Sequence, residues 1–214
     1  MYSVLTKPVL ASAAALVILA GCQTTTEEAA VTKPLAPMEK PSAWTMGSNM
    51  ERLKDGKPYS AEVIAVDAET TTWKNSEGCI YTLKNGFGFG SSVTWENCPS
   101  SRGTQSGTQT IEKLDDNPIW PLKVGKSWRY REKGSNTNGN SWNMVRKCDV
   151  EKEVKITTQL GTFDTFKVIC VDDYRERTWY IAPDYGTSVK FINHNSSRNS
   201  TTVYDTISFS KPAS

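Results

Sequence analysis

Histidine is nearly missing from this chain: His194 is the single example in 214 residues. Zinc sites built on imidazole are therefore out of reach, and a Ser-His-Asp arrangement would have to use His194, which stands in the polar run 193–197 with no G-x-S-x-G elbow anywhere. No two of the five cysteines stand in a C-x-x-C pair, which removes the common thiolate metal motifs. No run of ten or more residues keeps an apolar repeat at helical spacing, so helices are not the framework. Charge is balanced, with 25 basic and 23 acidic residues, which excludes a nucleic-acid footprint and a polybasic membrane patch. The glycines at 86–90 lack the Lys-Ser/Thr and the helix that a phosphate loop needs, and read as a hairpin loop. The acidic pairs Asp115–Asp116 and Asp172–Asp173 are candidate calcium ligands or paired carboxylates, but neighbours on a strand face opposite sides, so they read better as solvated strand ends. No cofactor and no metal is expected.

What is present begins at the amino end. Lys7 precedes an apolar run from Pro8 to Ala20, and Leu19, Ala20, Gly21 and Cys22 close it. A span of the bilayer needs roughly 20 apolar residues, and this run is shorter. The L-A-G-C spelling resembles the lipobox of bacterial lipoproteins. That resemblance implies a leader at 1–21 that is cleaved, a diacylglyceryl thioether on Cys22, and an acyl chain such as palmitate on its amine. Several chains on one residue make a lasting anchor, since each buried methylene contributes about 0.8 kcal/mol. Gln23, which is not the Asp associated with inner-membrane retention, implies the periplasmic leaflet of the outer membrane as the address.

Residues 22–42 carry Thr, Glu, Ala, Pro and Lys with no period, and are expected to form a disordered tether with a reach of about 25 Å. Residues 43–210 are expected to form one domain, with 211–214 as a tail. Within it, runs rich in β-branched and aromatic residues fall at 61–67, 70–74, 79–84, 92–96, 108–112, 127–133, 142–158, 165–172, 177–182, 187–193 and 201–209, separated by Gly and Asn punctuators. The stretch 49–55 is read as a single helical turn. The fold expected is all-β: an antiparallel sandwich, barrel or strongly curved sheet.

Four cysteines remain once Cys22 is assigned to lipid. Cys148 and Cys170 are centred on position 159, in the Gln159–Gly161 turn, so a hairpin there sets them opposite one another. Cys79 and Cys98 are centred within the glycine-rich stretch and are expected to staple a second hairpin. In an oxidising compartment both bridges are the default, and loops of this size contribute about 3 kcal/mol each. The two segments look alike, with Trp73 and Trp95 around the first and Trp142 and Trp179 around the second. A duplication and a shared hairpin habit both account for this.

Three patterns follow one another in the second half: Trp120-Pro121-Leu122 with Gly125, Trp128 and Tyr130; Gly161-Thr162-Phe163 with Lys167; and Trp179-Tyr180 with Ala182, Pro183 and Gly186. Together they resemble a group of uncharacterised, mostly proteobacterial envelope proteins and lipoproteins carrying PLxxGxxWxY, GTFxxxK and WYxAPxxG in that order. The resemblance implies an antiparallel β fold and an envelope location, and brings no catalytic residue.

Seven tryptophans and eight tyrosines are the last clue. They either fill the core or line a groove that includes Trp73, Trp95, Trp128, Trp142 and Trp179. The sequence is thus read as a non-enzymatic, lipid-anchored binding or structural module, with an envelope protein, peptidoglycan or a lipid as candidate partners. A carrier of lipid or another apolar ligand is the alternative and predicts an unfilled interior. A hydrolase, the second alternative, predicts polar groups converging with His194 or an acidic pair.

Overall fold

The molecule is described by a computed structural model that covers residues 27–86, 89 and 91–212. The leader, Cys22 and Gln23 lie outside the described residues. A two-residue strand, β1 (Glu28–Ala29), is followed by β2 (Asn49–Lys54), β3 (Lys57–Val66), β4 (Thr70–Asn75), β5 (Ile80–Lys84), β6 (Ser92–Ser100) and β7 (Gly103–Lys113). Then come β8 (Ser127–Asn136), β9 (Ser141–Thr158), β10 (Gly161–Val171), β11 (Arg175–Ala182), β12 (Thr187–Asn195) and β13 (Ser200–Ser210). From β2 onward each strand pairs antiparallel with the next, and β13 pairs back onto β2 from Tyr204↔Lys54 to Ser210↔Asn49. The result is a closed barrel of 12 strands.

Every strand run expected from the sequence falls on a strand. The stretch 49–55 does not form a helical turn. It is β2, and the Asp55-Gly56 pair, with φ of 50° and 77°, is a two-residue hairpin turn into β3 that sets Lys54 opposite Lys57.

Both expected disulfides are present, Cys79–Cys98 and Cys148–Cys170, with Cα atoms 4.2 and 4.0 Å apart. The second depends on a register change. The β9–β10 turn pairs Thr158 with Gly161, a register that continues to Lys152↔Lys167 and would miss the Cys148–Cys170 pairing by one residue. A bulge after Lys167 shifts the register to Val150↔Val168, and the cysteines then meet directly.

The core is uneven. The largest cluster joins Phe89, Leu122, Trp128, Tyr130, Cys148, Val150, Phe166, Val168, Cys170, Trp179 and Ile181, with both cysteines fully buried. A second cluster takes Tyr180 and Ala182, which alternate along β11 with Trp179 and Ile181 and so lie on its other face. A smaller cluster, Met50, Ala61, Val63 and Trp73, serves β2 to β4.

The tether expected from 22 to 42 is corrected for its described part. From Glu27 onward the chain lies along the barrel as a strap. Glu28 and Ala29 pair with Ile156 and Lys155 of β9, the Leu35 amide donates to Glu153 at 3.0 Å, and buried Met38 bridges Leu122. The reason is local: Leu35 and Met38 find the main core, and the Glu28 carboxylate is held by Lys152 at 2.7 Å, Lys167 at 3.0 Å and the Tyr180 hydroxyl at 2.6 Å. Burial alone would raise the Glu28 pKa, but those bonds outweigh it and bring the group down to about 2.

Candidate functional site

Barrel size decides what the interior holds. Eight strands leave space for side chains or one small ligand, whereas sixteen or more leave a water channel. Twelve strands fall between, and here the barrel surrounds a cavity of about 1230 Å³. Its side chains therefore form a wall and do not fill it.

One wall is an aromatic row made by cross-strand neighbours. Trp179 of β11 pairs with Phe191 of β12, which pairs with Tyr204 of β13. The rings stack at 5.0 and 5.6 Å between centroids, with interplanar angles of 26° and 28°, and Tyr59 meets Tyr204 edge-on at 5.4 Å. A second wall is the pair Trp95 and Trp142, stacked at 5.7 Å. Glycines make room for it. A Cβ on Gly107 would stand 2.3 Å from the Trp95 ring, and one on Gly134 would stand 2.8 Å from the Trp142 ring and 2.4 Å from the Thr108 carbonyl. The Trp142 indole N–H donates to Gln109 at 2.9 Å, and Gln109 donates in turn to the Ser92 carbonyl at 2.6 Å. Elsewhere in the lining, Trp44 meets Trp73 edge-on at 5.2 Å, and the Lys211 ammonium lies 5.0 Å from the centre of the Trp44 ring.

Of the five tryptophans singled out in the sequence, Trp73, Trp95, Trp142 and Trp179 line the cavity. Trp128 does not. It is 1% exposed and packs on Phe89 at 4.9 Å, so it belongs to the core.

Charged side chains also face the cavity. Arg52 of β2 donates through Nη2 to the Ser188 hydroxyl at 3.2 Å and to its carbonyl at 3.4 Å, while its Nε has no partner. Arg177 of β11 donates to the Ser91 hydroxyl at 3.3 Å. Burial, with repulsion from Arg146, pushes the Arg177 pKa down to about 10, which leaves it charged at neutral pH. Burial also lowers Arg52 and raises the phenols of Tyr81 and Tyr204, so these tyrosines stay neutral. Arg175 stands beside this group at the exposed start of β11.

Arg177 adjoins a buried ionic triad through Ser91. Arg146 holds Glu132 at 3.0 Å and Asp172 at 2.5 Å, and Glu132 also accepts from Ser91. The expectation that Asp172 marks a solvated strand end is corrected: its side chain is 1% exposed, and its other oxygen accepts the amides of Tyr174 and Arg175. Asp115 does cap a turn, accepting the amides of Asn117 and Arg129. His194 is in β12, not in a loop, and its ring nitrogen shares a hydrogen with the Thr201 hydroxyl at 3.0 Å.

Sequence reading missed Arg52, Arg177 and the tyrosines of the wall. A signal for Arg177 was available, since Arg177, Trp179 and Ile181 share one strand face by period-two alternation.

No family model and no curated protein sequence matches the chain. Among solved structures it is similar to the hypothetical lipoprotein YmcC from Escherichia coli, at 10% identity and a TM-score of 0.49, over 81% of this chain and 92% of that one. It is also similar to a candidate exported protein with a YmcC-like fold from Bacteroides fragilis, at 11% identity and a TM-score of 0.42, over 82% of this chain and all of the other.

Proposed function

We propose that this chain is a lipid-anchored envelope lipoprotein whose barrel is a non-enzymatic binding module that takes a ligand into its cavity. The observation that carries the reading is the unfilled interior of about 1230 Å³, walled by stacked aromatic rings. Large apolar faces with a few placed polar groups are what ligand sites use, and Gln105, Gln109, Asn136 and Asn138 supply such groups here. That mixture fits an amphipathic ligand better than a purely hydrocarbon one. The anchor rests on Leu19 to Cys22, and the two disulfides fit an oxidising compartment such as the periplasm.

The test is mass spectrometry of protein extracted gently from membranes of a Gram-negative host. Denatured protein is expected to carry acyl mass on Cys22, and native spectra to show a retained small molecule. A Cys22→Ser protein that stayed in the membrane pellet after a salt wash would overturn the anchor. Native protein that carries nothing, and shows no thermal shift with envelope-derived glycans, lipids or peptides, would overturn the binding module.

A further inference from the structure

Arg52 is enclosed by the barrel and still has surface open to the cavity, and the phenols of Tyr81, Tyr59 and Tyr204 act on its charge. Among the described residues it forms no ion pair, Ser188 occupies only one of its nitrogens, and Nε is unpartnered. A guanidinium so enclosed is costly unless something anionic meets it, and its planar fork suits a carboxylate or a phosphate.

A second cation stands across the aromatic row. Arg177 is two residues from Trp179 along β11, whereas Arg52 is opposite Thr206, two residues from Tyr204 along β13. Each arginine thus flanks the Trp179–Phe191–Tyr204 row at about 7 Å along the strands, on opposite sides. The nearby triad of Arg146, Glu132 and Asp172 is net negative by one charge, and Arg177 with Arg175 more than offsets it. Both ends of the row are therefore electropositive.

We infer that the cavity binds an organic anion, its carboxylate or phosphate taken by Arg52 and its ring or acyl body laid on the Trp179–Phe191–Tyr204 row, with Arg177 holding a second anionic group on ligands that have one. This inference rests on the reading of the barrel as a binding module and names the ligand's charge.

A matched pair of fluorescent probes tests it on the full chain with Cys22→Ser. Anilinonaphthalene sulfonate and neutral N-phenylnaphthylamine share a ring system and differ in the anionic group. The sulfonate is expected to bind at least 10-fold more tightly, and Arg52→Gln to remove that preference while leaving the neutral probe within about 2-fold. Arg52→Lys, which keeps the charge and loses the fork, is expected to retain part of the preference. Near-UV circular dichroism confirms that each variant keeps its packed tryptophans. Displacement of the sulfonate by dodecanoate and by dodecyl phosphate ranks the two anion chemistries, with dodecanol as the neutral control. Equal affinity for the two probes, a preference that survives Arg52→Gln, or displacement by dodecanol as good as by either anion would overturn the inference and leave the cavity reading standing. Binding of neither probe would bring down the cavity reading, and the inference with it.

Discussion

The two disulfide hairpins have nearly the same loop length, with sequence separations of 19 and 22, yet they sit in unlike surroundings. Cys148 and Cys170 are fully buried in the main core, on strands packed on both faces and crossed by the strap. Cys79 and Cys98 lie beside the smaller cluster of β2 to β4, where Cys79 is buried but Cys98 is half-exposed and its neighbour Asn97 takes a left-handed φ of 54°. In the chain-entropy view the two bridges should stabilise about equally, near 3 kcal/mol each. What differs is the packing around them. The strands around Cys148 and Cys170 carry the main core, and those around Cys79 and Cys98 serve mostly as cavity wall.

The comparison breaks most sharply at the buried bridge. Replacing both Cys148 and Cys170 with Ala is expected to cost about 5 kcal/mol, because a void in the core adds to the lost constraint. The Cys79→Ala, Cys98→Ala pair is expected to cost only about 2 to 3 kcal/mol. Thermal melts of the two double variants check this, and equal midpoints would show that burial does not separate the bridges.

Next in size is the ionic triad. Arg146→Met strands Glu132 and Asp172 in a buried site, and is expected to cost about 4 kcal/mol by urea unfolding. Glu132→Gln combined with Asp172→Asn in that background should restore part of the loss. A loss below about 1 kcal/mol would mean that water reaches the triad.

The cavity wall where β7, β8 and β9 meet is probed by Gly134→Ala, whose added methyl meets the Thr108 carbonyl and the Trp142 ring. Overpacking of this kind costs about 1 to 3 kcal/mol. Here it should also separate Trp95 from Trp142, seen as a change in near-UV circular dichroism without loss of the β signal. An unchanged spectrum would mean that the glycine does not seat the stack.

The smallest effect is on the strap. The Glu28 pKa in the folded state, about 2, is below its ordinary value of 4.5, so the contribution of its bonds is full above about pH 4.5 and is lost as pH falls through about 2. Hydrogen exchange of the strap is expected to speed up over that window while the β9–β10 core stays protected. Glu28→Gln should abolish the pH dependence.

Much of the barrel was legible in the sequence because the strand runs carry β-branched and aromatic residues between clear turns, and because opposed cysteines report the centre of a hairpin. β2 was not. Its Asn-Met-Glu-Arg-Leu-Lys has no β-branched residue, and its sheet position comes from β13, about 150 residues away. The Asp55-Gly56 turn was a local sign of it that the reading passed over. The strap was hidden for a related reason: its composition is that of a tether, and its order comes from a few anchors, Glu28, Leu35 and Met38, whose partners are distant in sequence. At the site, four of five tryptophans could be named because aromatic rings suit either a core or a wall. The arginines were missed because a charged residue in a strand reads as outward-facing, and only a closed barrel with room inside gives it an inward place.

The closing seam has a consequence for biogenesis. Ser200–Ser210 must return across about 150 residues of chain to cover the edge of β2, so the barrel stays open along that seam until β13 is in place. Loss of Ser200–Ser210 would bare the facing edges of β12 and β2 together and turn the closed barrel into an open ribbon with two margins ready to pair with another chain.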